Sequence, residues 1–76
     1  MENLVDREEA EKTLIDPEFI MPNQPQRSLV MRRYFDQVLQ QEMLLIIVVE
    51  DTDRERVVVT LFKTSQFSRY LKETGL

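Results

Sequence analysis

The longest unbroken apolar stretch of the chain is 43–49, Met43-Leu44-Leu45-Ile46-Ile47-Val48-Val49. Side chains on a strand alternate between faces, so a run without a polar break predicts a strand covered on both sides, the centre of a sheet. Such a strand needs a neighbour on each edge, because a two-stranded hairpin alone is marginal. Val57-Val58-Val59-Thr60-Leu61-Phe62 is β-branched and apolar and predicts one neighbour, reached through the charged, glycine-free connection 50–56. The segment 28–42 fits two periods. As a helix, Ser28 would cap it and Met31, Phe35, Val38 and Leu39 would form its stripe. As a strand, Leu29, Met31, Arg33 and Phe35 would line one face and Val30, Arg32 and Tyr34 the other. The need of 43–49 for a second neighbour decides for a strand over 27–35.

Helices are expected at both ends. Asp6-Arg7-Glu8-Glu9 places an acid three residues before a glutamate, a capping pattern that also suits the helix dipole, and predicts a helix from about Asn3 or Asp6 to Leu14. Leu4, Ala10, Leu14 and Ile15 share one side of it, interrupted by Arg7 and Glu11. Asp16-Pro17 ends it, since proline disfavours a helical residue before it. Phe19-Ile20-Met21 follows as a short edge strand closed by Pro22 and Pro25. Ser65 reads as the cap of a terminal helix striped by Phe67, Tyr70 and Leu71, running to about Glu73 and stopped by Gly75. The predicted fold class is α+β: an antiparallel β-meander of three or four strands flanked by an N-terminal and a C-terminal helix, in one domain over 1–76.

Composition narrows the chemistry. The chain has no cysteine and no histidine, which removes disulfides, thiolates, the commonest metal ligand and the commonest neutral-pH base. Its one glycine is next to last, so no phosphate loop is present, and no carboxylates recur at metal-ligand spacing. Neither a metal nor another cofactor is expected. The apolar run is far below the roughly 18–20 residues that span a bilayer, and the N-terminus lacks the regions of a signal peptide, so a cytoplasmic protein with no membrane association is expected.

The net charge of −4 argues against general nucleic-acid binding, but the charge is uneven. Residues 1–20 hold seven acids and two bases, which leaves 21–76 at +1. The acidic helix is a solvated face or the match for a basic partner. Arg27, Arg32 and Arg33 fall in one segment, Lys63, Arg69 and Lys72 in another. Guanidinium groups fork onto paired oxygens and hydroxyls donate to the rest, so Arg27, Arg32 and Arg33 with Thr60, Lys63, Thr64 and Ser65 could hold a phosphate. The structural reading stands beside it: arginines paired with carboxylates, Thr60 as a strand former, Thr64 and Ser65 as strand end and cap, Tyr34 and Tyr70 as packing rings. Strand 43–49 lies between the two basic segments. They converge only through sheet curvature or over one face.

Thr13-Leu14-x-x-Pro17-x-Phe19-Ile20, Arg27-x-Leu29, Leu45-Ile46-Ile47-Val48-Val49-Glu50 and Val58-Val59-Thr60-Leu61-Phe62-x-Thr64 together resemble the BECR-type (barnase, EndoU, colicin and RelE-like) domains, in particular short phage-related and cyanobacterial members. More distantly they are similar to BrnT-type ribonuclease toxins. The resemblance spans residues 10–66 and implies a curved antiparallel sheet with helices on one side and metal-independent cleavage of RNA. It implies Arg27 and Arg32 as phosphate contacts, with Thr60 and Thr64 on the neighbouring strand. The chain departs from the pattern in three places. It has no upstream histidine, it reads Thr64-Ser65-Gln66 where relatives often have Thr-x-Lys, and Val30 and Met31 replace aromatics.

Cleaving RNA without metal needs a base for the 2′-hydroxyl and an acid for the leaving oxygen. Without histidine the base would be a carboxylate of raised pKa. The expected function is therefore a nuclease-like or toxin-like domain that has lost catalysis and acts as a binding or regulatory module, with a protein partner or a second copy of itself. Two alternatives stand beside it: a weak metal-independent ribonuclease with RNA as partner, and a small oligomeric scaffold that uses a dimer to cover its apolar rows.

Overall fold

The computed structural model describes residues 6–71. Arg7–Ile15 forms α1, Phe19–Gln24 β1, Arg27–Asp36 β2, Gln41–Asp51 β3, Arg56–Thr64 β4 and Phe67–Leu71 α2. The fold is α+β, with four strands in one antiparallel sheet ordered β1-β2-β3-β4. The expected strand over 27–35 is β2, one residue longer. The parts of the expected helices at Asn3, Leu4, Glu73 and Gly75 lie outside the described residues. Among the described residues no helix is long and apolar enough to cross a membrane.

Register explains the central strand. Val30 and Leu61 flank Ile47, while Met31 and Phe62 flank Ile46, so the odd and even positions of β3 enter different clusters. On one face Leu45, Ile47 and Val49 pack with Val30, Tyr34 and Met43 beneath Ala10 and Leu14 of α1. On the other, Leu44, Ile46 and Met31 pack with Leu71, Phe67 and Tyr70 of α2, where the Phe62 and Tyr70 rings meet at 6.1 Å. The helices therefore lie on opposite faces, whereas the resemblance implied both on one side. The apolar pleat of β3 requires this, because each of its faces would otherwise meet water.

Local chemistry sets the ends. Asp6 caps α1, its carboxylate accepting from the Glu8 N–H at 2.9 Å. Thr13 is buried in α1 and donates its hydroxyl to the Glu9 carbonyl at 2.8 Å. Ile15 is 83% exposed, so among the described members of the expected stripe Ala10 and Leu14 pack on the sheet. β1 runs through Pro22, since an edge strand tolerates a missing N–H, and ends at Gln24 before Pro25, the second of the two prolines expected to close it; its pairing with β2 becomes irregular between Pro22 and Gln24. α2 begins two residues after Ser65, the expected cap. There the Thr64 hydroxyl accepts from the Gln66 N–H at 3.0 Å, and the Gln66 carbonyl from the Arg69 N–H at 3.3 Å.

The hairpins turn without glycine. Gln26 (φ 71°) and Gln40 (φ 56°) take the left-handed conformation in the first two. In the third, Thr52 closes the turn: its N–H and hydroxyl both donate to the Glu55 carbonyl, at 2.8 and 3.0 Å, and its oxygen accepts from the Glu55 N–H.

Candidate functional site

The pleat separates the four phosphate-binding candidates. Arg27 and Arg32 are five residues apart on β2 and so point to opposite faces, Arg32 toward α1 and Arg27 toward the α2 side. Thr60 and Thr64 share the Arg27 face, but β3 lies between, pairing Val48 with Thr60 and Leu44 with Thr64. Strands two apart are about 10 Å from each other. On that face Phe67, Tyr70 and Leu71 of α2 pack with Met31, Leu44 and Ile46.

Each of these arginines already has an acid. Arg27 meets Glu50 at 3.2 Å, its cross-strand neighbour, and Arg32 meets Glu9 of α1 at 2.9 Å with both side chains mostly buried. Arg33 donates its Nε to Glu18 at 3.1 Å, its other guanidinium nitrogen to the second oxygen, and its backbone N–H to the same carboxylate. The Arg33 guanidinium also sits 5.8 Å over the Phe19 ring. The Arg33 hydrogen bond holds the Glu18 carboxyl below its ordinary pKa. Arg56 does the same to Asp51 across the last hairpin, at 2.8 Å. The acid-rich helix thus supplies Glu9 as an internal counter-charge for the sheet.

The tightest polar assembly was not foreseen. The Asp36 carboxylate, at the end of β2, accepts from four donors: Lys63 Nζ at 2.8 Å, the Tyr34 hydroxyl at 3.0 Å, and the N–H groups of Val38 and Leu39 at 2.9 and 3.0 Å. The Asp36 and Lys63 side chains are only 6% and 13% exposed, so this pair is shielded from solvent in a way the surface pairs are not. The Lys63 ammonium, followed by the Leu39 N–H and the Tyr34 hydroxyl, holds the Asp36 carboxyl far below the usual range. Burial first, then the hydrogen bond to Asp36, pushes the Tyr34 phenol well above its ordinary pKa. The cluster pins β2, the 37–40 turn and β4 together. A sequence signal existed: Tyr34 and Asp36 lie two apart on β2 and so share a face.

Beside this cluster is a cleft of about 350 Å³ lined by Asp6, Glu9, Tyr34, Asp36, Lys63 and Val38. Its buried polar groups are satisfied by one another, and among the described residues no buried side-chain nitrogen or oxygen lacks a partner. Among the described residues, likewise, no three His, Cys, Asp or Glu converge on a metal position. The carboxyls of Glu18, Asp36 and Asp51, paired with Arg33, Lys63 and Arg56, are shifted down, the opposite direction from a general base.

The open feature of the surface is β4. It pairs with β3 on one side, and no described strand lies on the other. Residues 56–60 are all exposed, and Val57, Val58 and Val59 retain 41%, 42% and 42% of their surface. The pairing slips by one residue opposite Val48 and Val49, so Val58 pairs with Val49, Thr60 with Val48, and Val59 is the extra residue of a bulge. α1 lies over β2 and β3 and leaves this stretch uncovered. Comparison with protein-family models, with curated proteins and with solved structures returned no match.

Proposed function

We propose that this chain is a noncatalytic protein-binding module, a nuclease-like meander in which the residues shared with ribonuclease-type domains serve the fold and the working surface is the open edge of β4. The observation that carries the reading is the run Val57, Val58, Val59, exposed on an edge strand. An edge strand offers a row of backbone donors and acceptors to an extended segment of a partner, and the side chains on alternate faces supply selectivity. The other edge is a poorer template, because β1 carries Pro22, which has no N–H to offer.

The absence of catalysis is supported by charge. Arg27 and Arg32 are held by Glu50 and Glu9 on opposite faces, so recruiting them to one phosphate would break two ion pairs and still leave them apart. The acids beside Arg33, Arg56 and Lys63 hold their protons less readily than free carboxylates, so they are poor bases at neutral pH.

Two measurements test the reading. Structured and unstructured RNA incubated with the protein should remain intact, and cleavage that disappears in Arg27→Ala or Arg32→Ala would restore the enzyme. A photoreactive side chain placed at Val59 should form protein adducts in cells, while one at Ile20 on β1 should not. Equal labelling from both positions, or none from Val59, removes β4 as the recognition surface.

A further inference from the structure

We infer that the cleft beside the Asp36 cluster is a docking site for a basic side chain of a partner protein, a lysine or arginine flanked by apolar residues in an exposed segment. The cleft is built mainly from α1 and the end of β2, so the inference stands apart from the open edge of β4 and does not depend on it.

The cleft is short of one positive charge. Asp6, Glu9 and Asp36 line it together with Lys63, and Arg32 pairs with Glu9, so one negative charge among these groups is uncompensated. The Asp36 carboxylate is filled by its four donors. Asp6 and Glu9 are not. One oxygen of Asp6 accepts from the Glu8 N–H and one oxygen of Glu9 from Arg32, while the second oxygen of each accepts no hydrogen bond from a described residue. Three positions apart, the two carboxylates lie on the same side of α1. After burial and the hydrogen bond to Asp36, the charges of Asp36, Glu9 and Asp6 all add to the raised pKa of Tyr34, so the fields of the three acids meet at that ring. A cationic head suits this place. A phosphate-bearing ligand, nucleic acid and anionic lipid alike, is repelled.

The cleft also has an apolar wall. Phe35 and Val38 line it and are 53% and 86% exposed. The 36–40 turn does not require Val38: its bonds run from the Val38 and Leu39 N–H groups to the Asp36 carboxylate, from the Gln40 N–H to the Asp36 carbonyl and from the Gln40 amide to the Gln37 carbonyl, and none uses the Val38 side chain. Turns favour polar residues and glycine. A valine held by such a network at the mouth of a cleft of about 350 Å³ is a preorganised apolar contact. A free amine leaves that contact uncovered, whereas a side chain within a polypeptide lays its neighbours against it. The apolar wall therefore commits the site to a protein segment. One side chain and its neighbours bury far less than the ~1,200 Å² of stable complexes, so binding is transient, with a dissociation constant on the order of 0.1–1 mM.

Amide chemical shifts of the isotope-labelled full chain test this at low ionic strength with three probes: capped leucine–lysine–leucine, capped leucine–glutamate–leucine and butylamine. The lysine peptide should move the amides of Glu9, Gln37 and Val38 saturably and bind about 10-fold tighter than either other probe, since glutamate meets like charge and butylamine lacks apolar neighbours. Asp6→Asn removes a charge but keeps the helix cap, because asparagine caps as well as aspartate, and Val38→Ser removes the apolar wall but keeps the bonds of the turn. Each should weaken the lysine peptide roughly 3–5-fold. Equal binding of the two peptides overturns the inference, as does butylamine binding as tightly as the lysine peptide, an affinity that neither substitution lowers, or no shift up to about 5 mM peptide. Shifts confined to residues 57–60 would remove the cleft as a docking site and leave the β4 edge standing.

Discussion

Ile46→Ala and Ile47→Ala test whether β3 is covered on both faces. The two residues are adjacent, both fully buried, and project into different clusters, one under α2 and one under α1. Removing a buried isoleucine to alanine costs about 2–5 kcal/mol, the transfer of the lost methylenes plus the cavity left behind. A chain of 76 residues has roughly 4–11 kcal/mol to lose, so either change removes a large fraction of the total. For a domain of this size about 3 kcal/mol lowers Tm by roughly 12–24 °C. Val58→Ala is the control: Val58 is 42% exposed and its truncation costs about 1 kcal/mol or less. Thermal and urea unfolding gives all three values. Comparable large losses at 46 and 47 are expected. If either substitution costs under about 1 kcal/mol, the face it points to is not packed and the opposed-helix architecture is refuted.

Two further outcomes follow from the turn and the ion cluster. Asp36 has a folded-state pKa depressed first by Lys63, so the stability it contributes is present above the unfolded carboxylate pKa of about 4 and is lost as pH falls below it. Urea midpoints should drop between about pH 4 and pH 2 in the wild type and drop less in Asp36→Asn, with Glu18 and Asp51 supplying the remaining slope; an unchanged slope removes Asp36 as the acid-sensitive group. Gln26 adopts φ 71°, which glycine reaches without a Cβ clash, so Gln26→Gly should raise stability by about 0.5–1 kcal/mol, and a loss of stability would show that the Gln26 side chain makes a compensating contact.

The strands were readable because their burial is written in residue type. Residues 43–49 could only be central, and that requirement settled 27–35 as a strand against a plausible helical stripe at Met31, Phe35, Val38 and Leu39. In the fold Phe35 is 53% exposed and Val38 86%, so of that stripe Met31 alone is buried, and it packs as a strand residue. The face assignments of Val30, Tyr34, Met31 and Leu29 also followed, since a strand's period is fixed at two. What the sequence hid was pairing at a distance. Arg32 with Glu9 and Lys63 with Asp36 join elements more than twenty residues apart, and the residue types offer several equally suitable partners. Thr13, outside the expected stripe of α1, is buried, with its hydroxyl satisfied by its own helix. Ser65 was a reasonable cap, displaced when Thr64 made the turn into α2. The candidate anion site failed to assemble for the reason the strand order implied: a packed β3 separates the arginines from the threonines.

The two-faced burial of β3 also has a bearing on the life of the chain before it folds. Residues 43–49 contain no charge, no proline and no glycine, which is the composition of segments that stack into cross-β fibrils when exposed. In the native sheet they lie between two partner strands and beneath two short helices. Gln41, Glu42, Glu50 and Asp51 bracket the run as polar gatekeepers at its ends, where they oppose stacking without touching the core. Both neighbouring strands are joined to β3 by short hairpins, so cover arrives through local contacts that close early in folding. A variant that slows either hairpin would be lost to aggregation well before its equilibrium stability reached zero.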